Sequence, residues 1–331
     1  MSEIITLAHG GGGKMQNDLI RNEIATRFNN NILASLPDGA VTPENLVISS
    51  DSFVITPRFF PGGNIGKLAV AGTVNDILMA GGVPKYLTCS LIIEEGLEIT
   101  ELRKILDSMQ KEAANANVLI VTGDTKVVPR GGGDGIYINT AGVGFKREGM
   151  ELDRKRFTAG DKIIVSGNIG EHGLCVMANR YDLDCGALES DCQVLKNGVE
   201  TVWSIAKNKL KFMRDATRGG VLGIISEIFE NTPFNGIIEE AKLPVGKEVA
   251  AIAKLLGIDP GFAACEGCFV TVVADDIAEA CVKALQALPK HENAAVIGTV
   301  CEGNGSVELQ GEWGALRKLI VPSGDQLPRI C

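Results

Sequence analysis

No stretch of the 331 residues approaches the ~20 consecutive apolar residues that a spanning helix needs, which argues against an integral helical membrane protein. The start, Met1-Ser2-Glu3-Ile4, lacks the basic and apolar regions of a secretory signal, so a cytoplasmic location is expected. Positive charge is in deficit: 32 Lys and Arg against 41 Asp and Glu leave a formal net charge of −9. That balance argues against a nucleic-acid or anionic-membrane surface, and a highly charged ligand would need local cations or a metal. Histidine is scarce, at His9, His172 and His291 only, and there is one C-x-x-C, Cys265-Glu266-Gly267-Cys268. Without a second such pair, both half of a zinc site and a redox pair stay open for it. The nine cysteines are odd in number and scattered, which suits a reducing compartment better than a disulfide framework. No G-x-x-x-x-G-K-S/T is present, and no G-x-G-x-x-G follows a strand, so neither a P-loop nor a dinucleotide fold is expected.

What is present fits an ordinary globular chain, 45% hydrophobic and 22% charged, long enough for two domains. The polar run Arg147-Glu148-Gly149-Met150-Glu151-Leu152-Asp153-Arg154-Lys155-Arg156 reads as a linker. It divides the chain into domains 1–152 and 153–320, followed by a tail, 321–331. Apolar runs predict strands at 46–49, 87–93, 118–121, 136–141, 162–166 and 269–273, and helical periodicity covers 64–80, 100–116, 220–230 and 277–287. The 40 glycines cluster, notably at His9-Gly10-Gly11-Gly12-Gly13-Lys14, Arg130-Gly131-Gly132-Gly133-Asp134-Gly135 and Arg218-Gly219-Gly220. Several clusters sit where a helix begins, and there free N–H groups and the helix dipole favour phosphate; each taken alone is equally a tight turn.

Four aspartates lie against apolar segments or glycine turns. Asp51 follows the 46–49 strand, Asp124 follows 118–121, and Asp215 precedes the glycine pair that opens the 220–230 helix. On the 64–80 helix, Asn75 and Asp76 interrupt an apolar face formed by Ile65, Leu68, Ala69, Gly72 and Met79. A buried carboxylate costs several kcal/mol unless it meets a cation or donors, and magnesium is the cation that carboxylates and phosphates bind together. The set therefore points to a magnesium-bound nucleotide.

The sequence closes on Pro328-Arg329-Ile330-Cys331, a thiol at the end of a segment without secondary-structure signal. Extended at ~3.3 Å per residue, the arm from 321 onward reaches about 35 Å, enough to carry a bound group between sites. A frayed terminus with an incidental cysteine is the plainer alternative. Prenylation is excluded, because no residues follow the cysteine.

His9-Gly10-Gly11-Gly12-Gly13, Phe60-Pro61-Gly62-Gly63-Asn64, Thr122-Gly123-Asp124-Thr125-Lys126, Arg214-Asp215-Ala216-Thr217-Arg218-Gly219-Gly220 and the final Pro-Arg-Ile-Cys together resemble the HypE family of hydrogenase maturation factors. The wider relatives are aminoimidazole ribonucleotide synthetase-like ATP-binding enzymes. The resemblance implies an α+β, two-domain synthetase-like fold. Its β-rich N-terminal domain would pair into a dimeric β-barrel, with a C-terminal α/β domain and a flexible tail.

It also implies a function: ATP-dependent dehydration of an S-carboxamide on Cys331 to a thiocyanate, the source of cyanide for the iron of nickel–iron hydrogenase. The implied partners are the carbamoyltransferase HypF, the iron-carrying scaffold HypC–HypD and a second copy of the chain. Asp51, Asp76 and Asp124 would hold magnesium. His9, Gly10, Gly11, Gly12, Gly13, Asn75, Asp215, Gly219 and Gly220 would join them around ATP. Cys331, Lys126 and Glu266 would be catalytic, with Lys126 either a base or a stabiliser of phosphate charge. Where the family shows Asn-Glu-Gly-Lys, this chain has Cys265-Glu266-Gly267-Cys268, so the glutamate matches and its neighbours depart. Glu171 and His172 match an acidic-His-Gly loop and are expected to line the site. A kinase or synthetase acting on a free small molecule is the alternative function.

Overall fold

In the computed structural model, residues 4–11, 13–28, 30–33, 37–184, 186–322 and 329–331 are described. The first domain contributes α1 (Gly13–Leu19), continued by a π-helical stretch Ile20–Ala25, then β1 (Ala40–Val41), β2 (Leu46–Phe53), β3 (Phe59–Phe60), β4 (Gly63–Asn64), α2 (Ile65–Met79), β5 (Gly82–Glu94), α3 (Ile99–Ala116), β6 (Leu119–Val128) and β7 (Ile136–Lys146). Five strands form an open sheet in the order β1-β2-β7-β5-β6, antiparallel except for β5 and β6, which α3 joins as a parallel crossover.

The second domain runs β8 (Lys162–Val165), α4 (Glu171–Arg180), α5 (Lys196–Ala206), β9 (Leu210–Asp215), α6 (Gly220–Phe229), β10 (Phe234–Glu239), α7 (Lys247–Leu256), β11 (Phe269–Val273), α8 (Asp275–Leu285), β12 (Ala295–Glu302), β13 (Val307–Gln310) and β14 (Leu316–Lys318). Its seven strands are ordered β14-β13-β10-β12-β8-β11-β9. Helix α6 packs Val221, Leu222, Ile225 and Phe229 against one face, while α5 and α8 cover the other. Among the described residues no helix is long and apolar enough to cross a membrane.

Helix α2 lies between the two domains. Asn64 caps it, its Oδ1 accepting from the N–H groups of Gly66 (2.9 Å) and Lys67 (3.1 Å), and it stops where Gly81 turns at φ +77°. Its spacing predicts one apolar face, but every residue except Lys67 and Asp76 is buried. The reason is its place: it lies on β2, β5 and β7 and also meets α3, α5 and β9, so the second domain covers the side that would otherwise face water. Gly66 permits the closest of these approaches, because a Cβ there would stand 2.4 Å from the Ile105 carbonyl of α3.

The sheet edge opposite β2 behaves differently. Leu119 through Val127 of β6 are all exposed, including Leu119, Val121 and Val127. A ten-residue strand with an open edge and apolar side chains is a template for pairing with another chain.

Candidate active site

The end of the chain is docked where β2 gives out. The N–H of Val54 donates to the Cys331 carbonyl (3.1 Å) and that of Thr56 to the Arg329 carbonyl (3.3 Å). Arg180, closing α4, donates to the same Arg329 carbonyl (2.8 Å), and the Arg329 side chain reaches the Val54 carbonyl and Asp134 (2.6 Å). Ile330 is buried, and its carbonyl lies 2.6 Å from His172 Nε2. A carbonyl only accepts, so Nε2 carries the ring proton and Nδ1 accepts from Ser190 Oγ at 2.8 Å. Burial pulls His172 down to about 4, which keeps the ring neutral. The intervening residues 323–328 lie outside the described residues.

This docking delivers the Cys331 thiol to a group of acids. Its Sγ is 3.0 Å from Arg218 Nε. Burial pushes the thiol up to about 12; Arg218 opposes the shift, while the nearby Glu266 and Asp51 carboxylates add to it. Docked Cys331 is therefore a neutral thiol at physiological pH.

Asp51, near the end of β2, lies over α2 at Gly72, where an added Cβ would be 3.4 Å from Asp51 Oδ2. One helical turn along, Asp76 accepts from Ser49 Oγ at 2.6 Å. Asp215 ends β9, and Glu266 sits in the loop before β11. Burial raises Asp76 well above the carboxylate range, and Asp215, Asp38 and Asp51 add repulsion. Asp215 is raised to about 8, first by burial, then by Asp38. Glu266 is raised well above its ordinary value by burial and by Asp215, Asp51 and Asp191. Asp215 Oδ2 and Glu266 Oε1 are buried without a hydrogen-bond partner. Unpartnered oxygens among mutually repelling carboxylates fit a cation. No three acidic, His or Cys side chains among the described residues enclose a metal by themselves. A cation would then take further ligands from phosphate and water, as magnesium does.

The glycine pair is rigidly built. Gly219 (φ +84°) and Gly220 (φ +62°) turn the chain into α6, and a Cβ on Gly220 would stand 2.6 Å from the Ala263 carbonyl. Backbone bonds from Ala216 N to the Cys268 carbonyl (3.0 Å) and Cys265 N to the Ala216 carbonyl (2.9 Å) stitch this turn to the Glu266 loop. Asp191 accepts from the N–H groups of Glu266 (3.0 Å) and Gly267 (3.1 Å), fixing the loop from its other side. Cys265 and Cys268 are buried in the packing, Cys265 Sγ accepting from Gly170 N, and no metal cluster forms around them among the described residues.

At the N-terminal segment, His9 Nδ1 lies 2.9 Å from Thr6 Oγ1, and the Gly10 carbonyl accepts from Arg218 Nη1 (3.2 Å). Gly11 and Gly13 flank Gly12, which lies outside the described residues. Asn75 is buried and engaged with backbone, donating to the Gln193 carbonyl and accepting from Leu195 N, so it ties α2 to the second domain. Glu171 opens α4 and accepts from Asn168 Nδ2.

Two expected residues are not gathered here. Asp124 and Lys126 lie inside β6, an ion pair at 2.6 Å with both side chains more than 60% exposed. Through the register Asp124↔Ser90↔Asn139↔Ser52 they stand three strands from β2, about 14 Å at ~4.8 Å per spacing. The strand predicted at 118–121 runs on to Val128 and carries both residues with it. Conversely, Asp38 belongs to the acid group and pairs with partly buried Arg214 at 3.1 Å, and Arg218 contacts the thiol. Sequence pattern marks Arg218 only as part of a glycine motif and leaves Asp38 unmarked.

The AIR synthase related protein N-terminal domain model matches residues 37–145 and the corresponding C-terminal domain model matches 158–310. The carbamoyl dehydratase HypE of Rhizobium leguminosarum bv. viciae is 42% identical over 332 residues, covering 99% of this chain and 95% of the relative. A solved HypE–HypF complex superposes with a TM-score of 0.88 at 39% identity, covering 92% of this chain and 99% of that one. HypE in complex with ATP gives 0.83 at 38% identity, covering 98% and 99%. With both domain models in place and relatives matched from end to end, the chain belongs to the HypE family of AIR synthase related proteins.

Proposed function

We propose that this chain is an ATP-dependent carbamoyl dehydratase that converts an S-carboxamide on Cys331 into a thiocyanate. The observation that carries the reading is the docked tail, which places Sγ beside Arg218 within the field of Asp51 and Glu266. A free-substrate kinase has no use for such a dock. A carboxamide oxygen leaves poorly, so it first attacks the γ-phosphate of ATP, giving an O-phosphorylated imidate and ADP. Loss of phosphate with the remaining N–H proton then yields S–C≡N.

Within one chain Glu266 is the residue placed to take that proton. Its buried, unpartnered Oε1 and raised pKa make it a stronger base than an ordinary carboxylate. Asp51 and Asp76, with Asp215 beside them, are the residues to hold magnesium, which when bound neutralises the phosphates. The N-terminal segment around His9–Gly13 and the Gly219–Gly220 turn complete the nucleotide site.

The reading includes a homodimer in which the exposed β6 of one copy closes beside β2 of the other, making a barrel from two open sheets. The partner's Asp124 and the partner's Lys126 then approach the Asp51 end of the site, which removes the 14 Å gap present within one chain. By likeness to the HypE–HypF complex, HypF supplies the carbamoyl group. The HypC–HypD scaffold receives the cyanide in the cytoplasm.

The test is mass spectrometry of the C-terminal peptide after carbamoylation of Cys331 and incubation with magnesium and ATP. Loss of one water only when ATP is present is expected, and C331A forms no product. An unchanged carbamoyl group with ATP bound, or steady ATP consumption after truncation at 321, overturns the reading.

A further inference from the structure

We propose that Arg218 is a coupling residue that locks the N-terminal glycine segment down only when the cysteine tail is docked. One guanidinium serves both: Nε meets Cys331 Sγ at 3.0 Å and Nη1 donates to the Gly10 carbonyl at 3.2 Å. The two ends of the chain thus meet on a single side chain. This rests on the dehydratase reading, and it adds a device that withholds ATP consumption until the tethered substrate is in place.

Arg218 is suited to the task because its backbone is tied down on both sides. It stands between Ala216, bonded to the Glu266 loop on both sides, and the Gly219–Gly220 turn, pressed against the Ala263 carbonyl. A planar fork on a fixed stem holds two acceptors in one geometry, which a lysine ammonium does not reproduce. The Gly10 end of the link is the weaker one. No residue of Leu7–Gly10 is buried, and among the described residues this short turn is otherwise held by the local Thr6–His9 bonds. Losing the Arg218 contact should therefore release this segment first.

The test compares hydrogen exchange of the peptide spanning residues 4–11 in the full chain, in a form lacking 329–331, and in R218Q and R218K. All four are measured without nucleotide. Removing the tail and R218Q are each expected to speed exchange roughly tenfold, with R218K closer to R218Q than to the parent. Unchanged exchange on tail removal overturns the coupling, since Arg218 would then hold Gly10 without Cys331. Unchanged exchange in R218Q overturns the role of Arg218 itself. A second readout is the single-turnover rate of ATP consumption on the carbamoylated tail, expected to fall several-fold in R218Q because the segment no longer locks; a rate unmoved by R218Q also overturns the proposal. If the parent makes no thiocyanate at all, the dehydratase reading fails while the exchange comparison still decides the link.

Discussion

The neutral His172 ring donates from Nε2 to the carbonyl of Ile330, so a side chain of the second domain grips the residue next to the reactive cysteine. The bond is buried, and removing the donor strands that carbonyl at a cost of about 1–3 kcal/mol. The Arg329–Asp134 pair is half exposed and worth about 1 kcal/mol at most.

The two grips should differ in consequence. H172A is expected to raise the alkylation rate of Cys331 by iodoacetamide at pH 8 roughly ten- to a hundredfold, because the thiol is unreactive while docked. D134N should raise it no more than about fivefold. Equal rates for the two variants would show that the Ile330 carbonyl is not the main point of attachment.

E266Q should lower dehydration by at least about a hundredfold while leaving ATP binding in place. The active form is the carboxylate, so activity falls as pH drops through the raised pKa of Glu266. The acid limb of the single-turnover profile should then lie clearly above the ordinary carboxylate value of about 4.3. Residual E266Q activity that kept the same limb would assign the limb to another group.

A mixed dimer of K126A with C331A separates the two arrangements of the site. If Lys126 acts across the interface, the K126A chain keeps its own cysteine and borrows lysine from its neighbour, and about half the parental product forms. Action within one chain leaves both sites dead. Product measured by peptide mass spectrometry decides between them.

Asp215 should oppose stability in the ligand-free protein. Its pKa is raised to about 8 from 3.8, so folding favours the protonated form. The stabilising contribution is complete below the unfolded pKa and disappears as pH rises through the folded one. D215N should therefore raise Tm by a few degrees at pH 8 and by nothing below about pH 3.8, at the expense of catalysis. A lower Tm at pH 8 would mean that Asp215 accepts a stabilising bond the structure does not contain.

Much of this site was legible because charge in an apolar run is costly. Asp51, Asp76, Asp124 and Asp215 stood out for that reason, Glu266 only through the family resemblance; all but Asp124 share one region. The strands at β2, β5, β7, β8 and β11 were legible for the same kind of reason, being apolar and β-branched. Strand β9 was not, since Leu210-Lys211-Phe212-Met213-Arg214-Asp215 mixes charge with apolar residues and is held by pairing with β11. The partnership of His172 with Ile330 spans 158 positions and leaves no local mark. Nor does spacing show that Asp124 and Lys126 lie on the opposite edge from Asp51, because that depends on strand order.

The paired backbone bonds Val54–Cys331 and Thr56–Arg329 give the tail a register, with Arg329 itself turning at φ +55°. One extra residue between Ile330 and Cys331 would carry the thiol up to ~3.3 Å from its place beside Arg218, even with Arg329 still in its place. The enzyme therefore measures its own substrate by counting residues, and the spacing from Arg329 to the sulfur is as much a part of the active site as any side chain in it.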